Sequence, residues 1–257
     1  MLMKIIDLSV SLKAGIPSDP KEAKPEIEYS DHTAGAKQMA SVFKGLNTKN
    51  LKNEEGWASE NLKLTSHSGT HMDAPYHFNS TQDNGSPMPT IDEIPLENFI
   101  GKGVKFDFRH FENGHVITAS EVAQELNRIN HILKPDDIVV VNTAAGARYG
   151  ADDYLSSGVG MGREATLYLT ERGVKVVGTD AWSWDAPFNF TAEKFAKTKD
   201  PSIIWEGHYS GTTIPYYQME KMGNLDLLPD DGFTIICQPI NIYKASAGWV
   251  RPMAILK

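Results

Sequence analysis

Three of the chain's eight histidines and one aspartate fall in a single stretch, Thr65-Ser-His67-Ser-Gly-Thr-His71-Met-Asp73-Ala-Pro-Tyr-His77-Phe. Their spacings are four, two and four residues. Imidazole nitrogens with a carboxylate suit a first-row divalent ion, because imidazole binds zinc, iron or manganese and the carboxylate adds hardness and cancels charge. Three protein ligands leave a coordination position for water, as in catalytic rather than structural sites. A structural zinc calls for cysteines or a fourth histidine, and the one cysteine, Cys237, lies far away in an apolar run.

The backbone that makes these side chains converge is not a helix. His67 and His71 share a helical face, but Asp73 falls about 120° away, and Gly69 and Pro75 disfavour helix. In an extended chain side chains alternate, so positions 67, 71, 73 and 77 all point to one side. Pro75 forbids an ordinary central strand, which predicts a strand breaking into a tight turn near Ala74-Pro75.

The remaining chain supplies the scaffold. Ser9-Val-Ser-Leu12 alternates like a strand, and residues 17–63 read as mostly irregular with one short helix around 34–44. Residues 103–108 alternate as a half-buried strand. Thr118-Ala-Ser-Glu121 is a capping box ahead of Val122, Leu126, Ile129 and Leu133 at helical spacing. Ile138 to Val141 and Val174 to Val177 are β-branched runs typical of buried strands. Between them, Arg163 to Arg172 reads as a helix stopped by Gly173. Phe233 to Cys237, Asn241 to Tyr243 and Val250 to Leu256 read as closing strands. The sum is an α/β or α+β domain with a mixed sheet, residues 1–257 forming one unit.

Composition narrows the class. With 257 residues, 40 % of them hydrophobic, the chain can build a real core, which excludes global disorder. No apolar run reaches the ~18–20 residues of a membrane span, and Asp7 interrupts the apolar start, which argues against a signal peptide. A net charge of −8 gives no reason to expect a nucleic-acid partner. One cysteine excludes a disulfide scaffold. A cytoplasmic enzyme is the expectation.

The pattern His-x-Gly-Thr-His-x-Asp-x-Pro-x-His-Phe, met here at every fixed position, resembles the hallmark of the metal-dependent cyclase-like hydrolases, which include bacterial kynurenine formamidases and isatin hydrolases. His208 followed twelve residues later by Glu220 resembles a second family feature. Gly-Met-Gly-Arg-Glu164, Thr179-Asp-Ala-Trp-Ser-Trp-Asp-Ala-Pro-Phe188, Trp205-Glu-Gly-His208 and Ser246-Ala-Gly-Trp249 look most like the isatin-hydrolase branch. The resemblance implies a mixed, barrel-like sheet with helices packed outside (a swivelling β/β/α fold) assembled as homodimers or homotetramers. It makes His67, His71 and Asp73 metal ligands and His77 the general base. His208 and Glu220 either hold a second ion or steady substrate and water beside a single one. The ion implied is Mn2+ or Zn2+, one or two per subunit.

The reaction so implied is hydrolysis of a cyclic aromatic amide such as isatin. An arylformamidase is the alternative, and a non-catalytic metal-binding protein on the same fold a third reading, against which the presence of His77 speaks. An aryl substrate needs an apolar slot, for which Trp57, Trp182, Trp184, Phe188 and Trp205 are candidate walls. Other signals are discounted. Gly158-Val-Gly-Met-Gly162 lacks the register and the preceding strand of a dinucleotide site. Ser66, Ser68 and Thr70 lie in no nucleophile elbow, and Cys237 reads as core.

Overall fold

The structure is a computed structural model and describes residues 3–256. In chain order its strands are β1 Lys4–Asp7, β2 Glu26–Ser30, β3 Ser59–Lys63, β4 His71–Asp73, β5 Ile100–Asp107, β6 Val116–Ile117, β7 Asp137–Asn142, β8 Gly160–Met161, β9 Val176–Thr179, β10 Tyr217–Glu220, β11 Phe233–Ile236, β12 Ala247–Trp249 and β13 Met253–Leu256. The α-helices are α1 His32–Val42, α2 Pro75–Phe78, α3 Ala119–Arg128, α4 Arg163–Thr170, α5 Phe188–Thr198 and α6 Glu206–Tyr209.

Nine strands form one mixed sheet in the order β1-β13-β11-β5-β7-β9-β10-β4-β12. The central strands β5, β7, β9 and β10 run parallel, and antiparallel strands extend both ends. The sheet is curled into a half-barrel. Ile6 of β1 and Met72 of β4, far apart in strand order, belong to one continuous buried cluster with Ile138, Val140 and Val176. The alternate residues Val139, Val141 and Val177 pack on the convex face against Val122 and Leu126 of α3 and Ala165 and Leu169 of α4. Burial on both faces is why these strands read as unbroken β-branched runs.

Local chemistry sets the helix ends. Thr118 and Glu121 close the predicted capping box, the Thr118 N–H donating to the Glu121 carboxylate at 2.8 Å. The strands β5, β7 and β9 and the helices α1 and α4 fall where the sequence places them. Helix α3 stops at Arg128, short of the Ile129 and Leu133 expected on it, and β10 is not among the expected strands. Residues 17–63 do not stay irregular: β2 and β3 pair antiparallel and flank α1. Their side chains are mostly exposed, so the two-sided burial that flags a strand is missing from the sequence. At the start the strand is Lys4–Asp7 rather than Ser9–Leu12. Near the end it is Ala247–Trp249 rather than Asn241–Tyr243, which lies in an exposed turn.

Beyond β9 the chain enters Asp180, buried, whose carboxylate accepts from the Thr143 amide at 3.0 Å and the Thr143 hydroxyl at 2.7 Å. Burial pushes its pKa up to about 7, although the Thr143 bonds act in the opposite direction. A folded-state pKa above the unfolded ~3.9 means that Asp180 contributes most stability below about pH 4 and loses it as pH rises through about 7, on the order of 4 kcal/mol. Asp180→Asn, which keeps an acceptor for Thr143, is expected to flatten that dependence. Urea midpoints at pH 5 and pH 8 should differ less in the variant than in the parent.

Candidate active site

Strand register assembles the floor of the site. β4 lies between β10 and β12, with His71 opposite Glu220 and Asp73 opposite Gln218. Directly opposed residues of neighbouring strands share a face, so two residues of β4 and two of β10 point together. His67 and His77 arrive by other means. His67 sits in the turn before β4, where Ser68 N–H donates to Thr65 O at 3.1 Å and Gly69 takes φ +64°. His77 sits in α2, one turn opened by Pro75 at its first position. The expected single ribbon is therefore corrected. Only His71 and Asp73 share a strand, and a turn, strand and helical turn bring the four side chains together.

Asp73 is the shared point. Its Oδ1 lies 2.9 Å from His67 Nδ1 and 3.3 Å from His71 Nε2, and its Oδ2 lies 3.9 Å from His208 Nε2. Two groups of potential ligand atoms, each with its members within 4.8 Å of one another, include it: His67/Asp73/His77 and His71/Asp73/Glu220. His71 Nδ1 can only donate to the Gly69 carbonyl, at 2.9 Å, so in the neutral ring Nε2 is an acceptor. His71 Nε2 is buried without a hydrogen-bond donor, and Asp73 Oδ1 beside it has only His67 Nδ1 within bonding distance. Two acceptor atoms facing each other 3.3 Å apart favour a cation between or beside them. Both groups have donor chemistry that fits a divalent metal ion, although neither is the expected trio His67/His71/Asp73: one takes in His77 and the other Glu220.

The electrostatics agree. Burial opposes charge on Asp73, but His77, His67 and His71 hold its carboxyl well below the usual range. Burial, and then repulsion from Asp73, raises Glu220. Burial also resists charging His67, which Asp73 nevertheless raises. His77 behaves differently: burial, reinforced by the neighbouring His67, His208 and His71, pushes it down to about 4 against the pull of Asp73. It is a neutral imidazole at neutral pH, able to accept a proton.

Partners that the sequence reading missed hold the rings. Asp185 accepts from His208 Nδ1 at 2.5 Å and from the Gly207 and His208 amides at 2.8 and 3.1 Å, which turns His208 Nε2 inward. Gln218 Nε2 stands 2.7 Å from Glu220, 3.0 Å from His208 Nε2 and 3.3 Å from Asp73. Its position two residues before Glu220 on a strand could have marked it. The Ser246 hydroxyl, from the Ser246–Trp249 stretch singled out in the sequence, lies 3.2 Å from His67 Nε2.

A cavity of about 280 Å³ opens over these groups, bounded by His67, His71, His77, His208 and Glu220, with Trp182, Phe188 and Trp205 as aromatic walls. Trp205 stacks on His208 with ring centroids 4.3 Å apart and meets His77 edge-on at 5.2 Å. Of the aromatics singled out from the sequence, Trp182, Phe188 and Trp205 line this cavity and Trp57 and Trp184 do not. Trp57 bonds Gln38 of α1 at 2.6 Å. Trp184 is buried in the convex-face core, its indole donating to Thr166 at 2.9 Å, and only its backbone N–H serves the site, donating to Glu220 at 2.9 Å. The segment around 182–184 is not extended, so the two tryptophans do not face one side. Cys237 is core, its thiol pushed up to about 12 by burial.

Fold and donor set together define a metal-dependent hydrolase. Residues 6–186 match the cyclase family, and the chain belongs to it. It is similar to isatin hydrolase A from Labrenzia aggregata, solved with benzyl benzoate bound (26 % identity, 99 % of this chain and 94 % of that one, TM-score 0.74). Isatin hydrolase A from Ralstonia solanacearum shares the fold (21 % identity, 99 % and 92 % covered, TM-score 0.75). The kynurenine formamidase of Erythrobacter litoralis (strain HTCC2594) is 26 % identical over 198 residues, 76 % of this chain and 75 % of its own. Among the described residues no helix is long and apolar enough to cross a membrane.

Because Asp73 belongs to both donor groups, Asp73→Ala is expected to abolish stoichiometric metal binding, and His71→Ala to weaken it at least about tenfold. Elemental analysis of the purified variants, beside chelator competition, reads both.

Proposed function

We propose that the protein hydrolyses a cyclic aromatic amide of the isatin type to the ring-opened carboxylate, with His77 as general base. The observation that carries this reading is the His77 imidazole beside an Asp73-centred donor set at the base of an aromatic-walled cavity. In this reading His67, His71 and Asp73 hold the ion, with Glu220 and His208 disposed around Asp73 for a second one. Manganese suits the mixed nitrogen and oxygen donors as well as zinc does. A divalent ion bound there supplies Lewis acidity, which polarises a carbonyl and acidifies water.

The remaining work belongs to the chain. Trp182, Phe188 and Trp205 present apolar faces to an aryl ring and set the amide carbonyl towards Asp73. His77 takes a proton from the attacking water as the C–O bond forms, and returns it to the amide nitrogen as the C–N bond breaks. The edge of Trp205 limits the motion of the His77 ring, and Asp185 keeps His208 in one tautomer. The single ring-opened product carries both the freed arylamine and the new carboxylate, with one water added, so neither oxidant nor reductant is needed.

Arylformamidase activity is the second reading, favoured by the similarity to a kynurenine formamidase. Absorbance assays on isatin and on N-formylkynurenine separate the two, and turnover of isatin alone is expected. Failure on both with metal bound would overturn the substrate class. The assembly consistent with this reading is a homodimer or homotetramer, which sedimentation would show.

His77→Ala is expected to retain metal and lose turnover by about 10²–10⁴-fold. Since His77 also lies within ligand reach of Asp73 and His67, a metal-free His77→Ala protein would reassign it as a ligand.

A further inference from the structure

Lys221 is 2 % exposed and follows Glu220 directly. Were β10 to continue, consecutive side chains would point to opposite faces, yet both residues line the same cavity. The backbone makes the exception at Lys221, which takes φ +55°, a left-handed conformation costly for a side chain with a Cβ. That turn is fixed from both sides: Lys221 N–H donates to Ala181 O at 3.0 Å, and Lys221 O accepts from the Thr70 hydroxyl at 2.6 Å. The ammonium so placed donates to the His67 carbonyl at 2.9 Å and pairs with the buried Asp19 carboxylate. Asp19 also accepts from the Ser18 hydroxyl at 2.9 Å, and with Pro20 it lines the cavity.

We propose that Lys221 is a positioning residue with two separable tasks. Its bond to the His67 carbonyl fixes the backbone of that metal-facing histidine. Its pairing with Asp19 clamps the Ser18–Pro20 segment, distant in sequence, as a wall of the cavity. The inference rests on reading His67 as a metal ligand. It follows that loss of the ammonium disturbs both tasks, whereas loss of the Asp19 charge disturbs only the wall.

The test uses the full chain carrying Lys221→Met, Asp19→Asn, or both changes. The double variant matters because Lys221→Met alone leaves Asp19 buried without a counter-charge, and the pair of changes removes both charges. Metal affinity is read by chelator competition with Mn2+ and then Zn2+, and the wall by hydrogen exchange of residues 17–25 in the metal-loaded protein. Lys221→Met and the double variant are expected to bind the ion at least about tenfold more weakly, and Asp19→Asn within about threefold of the parent but with faster exchange over 17–25. Unchanged affinity in the double variant, or equal weakening in Asp19→Asn and Lys221→Met, would overturn the proposal. Neither readout uses a substrate. A parent protein that binds metal but leaves isatin intact therefore counts against the proposed reaction and not against this assignment.

Discussion

The site depends on a carboxylate, Asp73, buried completely within reach of several imidazoles. Such a charge is tolerated in a protein interior only when it is paired or bound to a metal. Here the histidines compensate it in part, and Asp73 Oδ1 faces His71 Nε2 at 3.3 Å, an arrangement of acceptors that favours a cation beside them. The short strand β4 exists to present this group. Three residues held between two antiparallel neighbours cannot slip in register without turning Asp73 to the opposite face.

Much of this was legible because ligands that lie close in sequence leave a local pattern. The spacing of His67, His71, Asp73 and His77 pointed to a metal site without any fold, and Pro75 to a break after the strand, where a helical turn stands in place of the expected tight turn. The β-branched runs at 138–141 and 174–177 likewise marked the buried central strands. Gln218, Asp185 and Ser246 carry no comparable signal, because their roles come from strand register and loop placement across long stretches of chain. Trp184 illustrates the converse. A tryptophan near the site suggested an aryl wall, but its ring fills core and its amide does the polar work. The hairpin of β2 and β3 escaped for another reason: a strand with both faces mostly exposed has no hydrophobic period to read.

Gln218 shows how the interior holds two acids and a histidine without a third formal charge. Its amide nitrogen faces Asp73, Glu220 and His208, while its oxygen accepts from the Tyr216 hydroxyl at 3.0 Å. Two N–H protons serve three acceptors, so one acceptor is always underserved and remains available to another donor. A glutamate here would place a third carboxylate in the same buried space, and an apolar residue would strand the acceptors. A neutral double donor is the residue type that separates Asp73 from Glu220 yet leaves their lone pairs partly free.

Backbone strain points to the same place. Most non-glycine residues with positive φ (Asn53, Glu54, Asn130, Lys199, Asn224 and Lys244) lie exposed, where turns accept such conformations at little cost. The other two, Trp205 and Lys221, line the cavity. Neither asparagine nor glycine, the residues that adopt this geometry readily, would supply an indole over His208 or an ammonium at the His67 carbonyl. The fold therefore keeps two unfavourable backbone conformations where the side chain is worth more than the relaxed turn. That holds only because packing and hydrogen bonds over-determine both positions: Trp205 stacks on a histidine anchored by Asp185, and Lys221 is bonded at its amide, carbonyl and ammonium.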